Sequence, residues 1–149
     1  CSQSRGLGDV YKRQAMEDDT SFPPTFPGFG HMVGLRPVSI GNGECTVEVT
    51  VLRTHLNAGG VAHGGLHATL LDTALGGALL SLVTPKEWCA TAEIVVSYIR
   101  PSKEGTTLTA KGRVVKRGKN IAHMEGEITD SNGLLIATAK GTWAIWKVD

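Results

Sequence analysis

The chain of 149 residues is 41% apolar and 19% charged, with a formal net charge of +1. These are ordinary values for one globular domain that buries a core without disulfides or a structural metal. Near-neutral charge excludes a polyelectrolyte that grips nucleic acid through its phosphates. Cys1, Cys45 and Cys89 are odd in number and form no Cys-x-x-Cys pair, so neither a disulfide framework nor a zinc knuckle is expected, and a reducing, cytoplasmic setting fits.

In chain order, the opening CSQSRGLGDVYKRQ resembles translated adapter sequence at the ends of metagenomic gene calls, and it lacks an apolar signal core. Residues 1–15 are therefore expected to be a non-native or disordered leader, with Met16 a candidate start and one domain over 16–149. Residues 17–30 mix acids, prolines and phenylalanines and read as an extended or partly helical lead-in that covers a core edge. A strand is expected over 33–40, then the turn Gly-Asn-Gly, then a second strand over 44–52. In that second run Cys45, Val47, Val49 and Val51 alternate with Glu44, Thr46, Glu48 and Thr50, as on a sheet with one covered face.

The period then changes. Leu66, Leu70, Leu71, Ala74, Leu75, Ala78, Leu79 and Leu82 recur at helical spacing, with alanines and glycines between them. A helix apolar nearly all round is expected to be buried nearly all round, ending at Thr84 and Pro85. Asp72, His67 and four glycines make residues 64–83 a poor membrane span. Asp72 itself needs an explanation, because a carboxylate inside so apolar a run has no cation nearby in sequence to offset burial.

Four further strands are expected over 90–99, 106–116, 121–129 and 134–146, the last three joined by the hairpin turns RGKN and DSNG. Gly112, Gly126 and Gly141 interrupt those last three strands, where a glycine marks curvature or a close approach of another backbone. The pattern predicts an α+β domain, a mostly antiparallel sheet wrapped around one long helix.

The segments HLNAGGVAHGGLHATLLDTA (55–74), TAEIVVSYIRP (91–101), VVKRGKN (114–120) and LIATAKGTW (135–143) stand in an order and spacing similar to the hotdog-fold acyl-CoA thioesterases of the phenylacetate-degradation (PaaI) type. The resemblance implies hydrolysis of acyl-CoA thioesters, aryl or medium-chain, to free acid and coenzyme A. No cofactor or metal is implied, since coenzyme A is part of the substrate.

Thioester hydrolysis needs a polarised carbonyl and a carboxylate that activates water or attacks directly. Gly64 and Gly65 open the helix, where free N–H groups and the positive dipole end would stabilise a developing oxyanion. Asp72 is the base or nucleophile. Eight residues of helix put it about 12 Å from Gly64, too far for both to reach one reacting centre from one chain. The resemblance resolves this with a homodimer whose central helices lie side by side, so that sites are shared between subunits, and with dimers of such dimers. It also places Asn57 and His63 as orienting groups and Thr91 as a hydroxyl that positions water, although Asn57 would otherwise read as a turn residue and Thr91 as packing.

His63 and His67 stand four apart, but HGGLH lacks the zincin glutamate and a third ligand, so His67 is read as ordinary. Residues 100–119 hold seven Lys or Arg against one acid, Glu104. This patch suits coenzyme A phosphates, with Arg117, Gly118 and Lys119 at the turn and Lys111, Arg113 and Arg117 expected on one strand face. Leu66, Trp88 and Phe26 are candidates to line the acyl pocket. Hotdog dehydratases carry Pro-Gly after their histidine, which His63-Gly64-Gly65 does not match. A non-catalytic acyl-CoA sensor is the alternative of another class.

Overall fold

The computed structural model describes residues 25–149; the expected leader over 1–15 lies outside them. A short helix, α1 (Phe29–Val33), precedes strand β1 (Arg36–Gly41). The strand expected from Val33 starts three residues later because Gly34 turns the chain in the left-handed region, at φ 81°. Phe26 is buried and Phe29 exposed, so of these two only Phe26 covers the core edge. Strand β2 (Glu44–Thr50) pairs back on β1 across Asn42 and Gly43. Both turn residues have positive φ, as a two-residue hairpin turn of this hand requires.

The long helix α2 (Gly64–Leu80) follows, then β3 (Glu87–Tyr98), β4 (Thr107–Arg117), β5 (Ile121–Asp130) and β6 (Leu135–Lys147). All strands join one antiparallel sheet in the order β1-β2-β4-β5-β6-β3. This is the hotdog architecture, with β3 at one edge and α2 packed mainly on β4 and β2. The alternation read in β2 holds: Cys45, Val47, Val49 and Val51 are all buried.

Small residues set how close the helix lies. Cys45, Gly112, Gly126 and Ala139 are register neighbours across β2, β4, β5 and β6. A Cβ added at Gly112 would stand 2.7 Å from the Ala74 carbonyl, so the helix backbone rests directly on the strand there. At Gly141 the missing side chain leaves room for the Trp143 ring.

Two expectations about α2 need correction. It ends at Leu80 rather than at Thr84, because the Ser81 hydroxyl donates to the Ala78 carbonyl at 2.7 Å and accepts from the Gly43 N–H at 2.8 Å. Nor is it buried all round. Leu70, Leu71, Ala74, Leu75, Ala78 and Leu79 are wholly covered, while Ala68, Thr69, Asp72, Thr73 and Gly76 are only half-buried in the single chain. A sheet covers one side of a helix, and among the described residues no second layer covers the other.

Candidate active site

The start of α2 is organised by side chains. His63 is its N-cap, and its Nδ1 accepts the Gly65 N–H at 2.8 Å. The Leu66 N–H reaches the His63 carbonyl at 2.9 Å. The Gly64 N–H is left without a partner among the described residues, at the positive end of the helix. Gly65, expected to offer substrate a second donor, has its N–H engaged by the cap. Asn57 accepts from the N–H groups of Gly59 and Val61, at 2.9 and 3.3 Å, through its Oδ1. It therefore shapes its own loop, and its amide NH2 remains available. Asn57, Gly64, His67, Tyr98 and Arg100 line a cleft of about 360 Å³.

Two turns along the helix, Asp72 accepts a hydrogen bond from the Thr91 hydroxyl at 2.7 Å. A bulge in β3 makes this possible. Thr91 sits opposite buried Trp143, but the register shifts between Thr91 and Glu93, so Thr91 points to the helix side while Glu93 does not. The structure thus brings together Asp72 and Thr91, and separately Asn57, His63 and Gly64, at two places on α2.

The basic segment is less unified than its sequence predicts. A second bulge, in β4 between Val114 and Lys116, turns Arg117 away from the face shared by Lys111 and Arg113. Arg117 instead pairs with Glu87 at 2.6 Å and donates to the Gly118 carbonyl at 2.9 Å. The Thr84 N–H, and then Arg117, hold the Glu87 carboxyl down at about 2. Arg113 pairs with Glu125. Lys116 and Lys119 are exposed and form no ion pair among the described residues. Gly118 is dictated by its turn: its N–H reaches the Ile121 carbonyl at 2.8 Å, which any Cβ would strike.

Sequence reasoning read His67 as ordinary and missed Tyr98 and Ser102, all three beside the cleft. His67 and Ser102 are the only buried polar residues among those described, and they face each other, Nε2 to Oγ, at 3.4 Å. Burial holds the His67 imidazole below its ordinary value of 6.5, against a weaker pull from the His63 backbone. That carbonyl does not come into bonding geometry, so Nδ1 has no hydrogen bond among the described residues. Tyr98 meets His67 edge to face, its ring centroid 5.8 Å away, and donates to the Gly64 carbonyl at 2.9 Å. The HGGLH spacing singles out His67, but nothing local could pair it with residues more than thirty positions away. No group of three or more His, Cys, Asp or Glu among the described residues could hold a metal ion. None of their helices is long and apolar enough to cross a membrane.

Known proteins are similar to this chain in sequence and in fold. The Thioesterase superfamily matches residues 59–137. Acyl-coenzyme A thioesterase 13 of Homo sapiens is 33% identical over 106 residues, 70% of this chain and 75% of that protein. Among solved structures, the E. coli PaaI protein from the phenylacetic acid degradation operon superposes with a TM-score of 0.70 at 28% identity, covering 76% of this chain and 85% of its own. A hypothetical thioesterase with coenzyme A from Streptococcus pneumoniae gives 0.71 at 27%, covering 76% and 87%. The chain belongs to the thioesterase superfamily, and its α2 laid across a six-stranded antiparallel sheet gives it the hotdog fold of the PaaI-type thioesterases that it resembles.

Proposed function

We propose that the protein hydrolyses acyl-CoA thioesters at a site shared between two copies of the chain. The observation that carries this reading is the Gly64 N–H, which has no partner among the described residues and stands at a helix start whose next N–H is already capped. A thioester carbonyl oxygen placed there gains charge against a fixed donor and the helix dipole. Asp72 of the other copy, one oxygen held by Thr91, takes a proton from water as the water oxygen bonds to the carbonyl carbon. Collapse of the tetrahedral species breaks the C–S bond, and the leaving thiolate recovers that proton. Attack by Asp72 itself, through a mixed anhydride that water then cleaves, uses the same groups.

The half-buried face of α2 and the edge strand β3 are the surfaces that two copies would cover, with dimers pairing further into tetramers. Asn57, through its amide NH2, and His63, through the helix cap, orient the thioester. Lys119 and Lys116 at the β4–β5 turn meet the coenzyme A phosphates, with Gly118 giving close backbone approach. Arg117 joins them to the extent that Glu87 releases it. The acyl group is aryl or medium-chain. No cofactor or metal enters, since the reaction needs only polarisation and proton transfer. The relatives named for acyl-coenzyme A and coenzyme A support the substrate class.

Release of free thiol from phenylacetyl-, benzoyl- and straight-chain acyl-CoA esters tests the reading, with Asp72→Asn alongside. Turnover by the wild type and not by the variant is expected. A protein that binds these esters and releases no thiol from any of them would be a sensor instead.

A further inference from the structure

We propose that Tyr98 is a positioning residue for the reaction: its hydroxyl, with the His63 imidazole, clamps the Gly64–Gly65 peptide from both ends and so aims the Gly64 N–H. The inference rests on Gly64 being the oxyanion donor. The peptide that carries the open N–H is held at its other end, where the His63 carbonyl accepts from Leu66. Two successive glycines, however, have no Cβ to restrict the backbone that follows, so side chains are needed to fix how the donor points. The peptide unit joining them offers one acceptor, the Gly64 carbonyl, and one donor, the Gly65 N–H. Tyr98 donates to the first at 2.9 Å and His63 accepts from the second at 2.8 Å. Both groups of the pivot are therefore bonded to side chains, while the neighbouring Gly64 N–H stays open.

Tyr98 is itself held. Its ring stands edge to face with buried His67, and His67 faces Ser102. The Ser102 carbonyl accepts the Ala62 N–H at 2.8 Å, which ties the segment after β3 to the residue just before the helix cap. The fit also explains the glycine. A Cβ on Gly64 would come within 3.2 Å of the Tyr98 ring, so the hydroxyl could not keep its bond to a bulkier residue at this position without moving. Because more than half of Tyr98 is exposed, its ring is not a main part of the core, and deleting the hydroxyl should leave folding intact.

Tyr98→Phe keeps the ring on His67 and removes only the bond to Gly64. A donor that is no longer aimed loses effect mainly when charge develops, so kcat should fall about tenfold with KM nearly unchanged. Tyr98→Leu, which also removes the ring wall of the cleft, should lower kcat similarly and raise KM. Wild type, both variants and Asp72→Asn are assayed together on one acyl-CoA ester, with thermal melts as the folding control. If wild type turns over, Asp72→Asn does not, and Tyr98→Phe keeps full kcat or changes KM alone, the positioning role is overturned while the thioesterase reading stands. If wild type releases no thiol, that reading falls and the positioning role with it. In NMR spectra, the Gly64 and Gly65 amide signals should shift and broaden in Tyr98→Phe, and unchanged signals would equally overturn the clamp.

Discussion

The two faces of α2 differ in residue type and in burial: leucine and alanine on one, and small or polar residues on the other. On the sheet side, Leu70, Leu71, Ala74, Leu75, Ala78 and Leu79 are wholly buried against β2 and β4. On the other side, Ala68, Thr69, Asp72, Thr73 and Gly76 are half-covered, and the carboxylate that looked misplaced in the sequence stands among them, bonded to Thr91. Buried packing is concentrated on the first face, and the chemistry proposed above on the second. A carboxylate can sit in mid-helix here because it lies on the half-buried side, where the edge strand β3 supplies the Thr91 hydroxyl.

The largest expected effect breaks the second face and spares the first. Asp72→Asn should reduce kcat by about a thousandfold while its thermal melt stays close to wild type, because the side chain is not in the core. Unfolding of the variant, or full activity, would put Asp72 on the wrong side of the comparison. The converse is Gly112→Ala, which touches only the buried face. Its methyl would stand 2.7 Å from the Ala74 carbonyl, and lifting the helix should cost about 3 kcal/mol of stability in denaturant melts, with activity per folded molecule much less affected.

Thr91→Val sharpens the comparison by removing one hydrogen bond to the carboxylate and keeping the shape. A bond to a charged acceptor of this kind makes a drop in kcat of roughly tenfold the expected result, measured by the same thiol release. His67, on the buried side, supplies a pH test. Its pKa in the folded chain lies below 6.5, so as pH falls the unfolded state takes the proton first. The stability this neutral imidazole permits is complete above 6.5 and lost as pH drops through the folded value. Wild-type melting should therefore decline in mild acid, and His67→Gln should flatten that decline. The smallest effect lies off both faces: Lys119→Gln should raise KM for acyl-CoA by roughly threefold, as for one exposed phosphate contact, and leave both kcat and melting unchanged.

Much of this was legible in the residues. Alternation in Cys45 to Val51 gave the inward face of β2, helical spacing gave α2, and the glycines inside β4 and β5 marked where a helix would press on strands. The motif around His63, Gly64 and Asp72 pointed to one chemistry. What was not legible are events of register and distance. Single extra residues in β3 and β4 change which side chains share a face, and so deliver Thr91 to Asp72 and send Arg117 to Glu87. A bulge has little signature in composition, because it is fixed by pairing with another strand. Tyr98 escaped for a similar reason, since its partner Gly64 is thirty-four positions away.

The sequence by itself determined the elements, their order, the thioesterase resemblance and the presence of a carboxylate eight residues beyond a helix-opening glycine pair. Local spacing and side-chain type are enough for these, because they depend on neighbours along the chain. Only the tertiary structure decided which face of α2 is covered, which hydroxyl holds Asp72, which N–H at the helix start is left open and which cations are already paired. Each of these depends on what another segment brings within about 3 Å, the reach of a hydrogen bond, and that is set by the packing of the sheet on the helix.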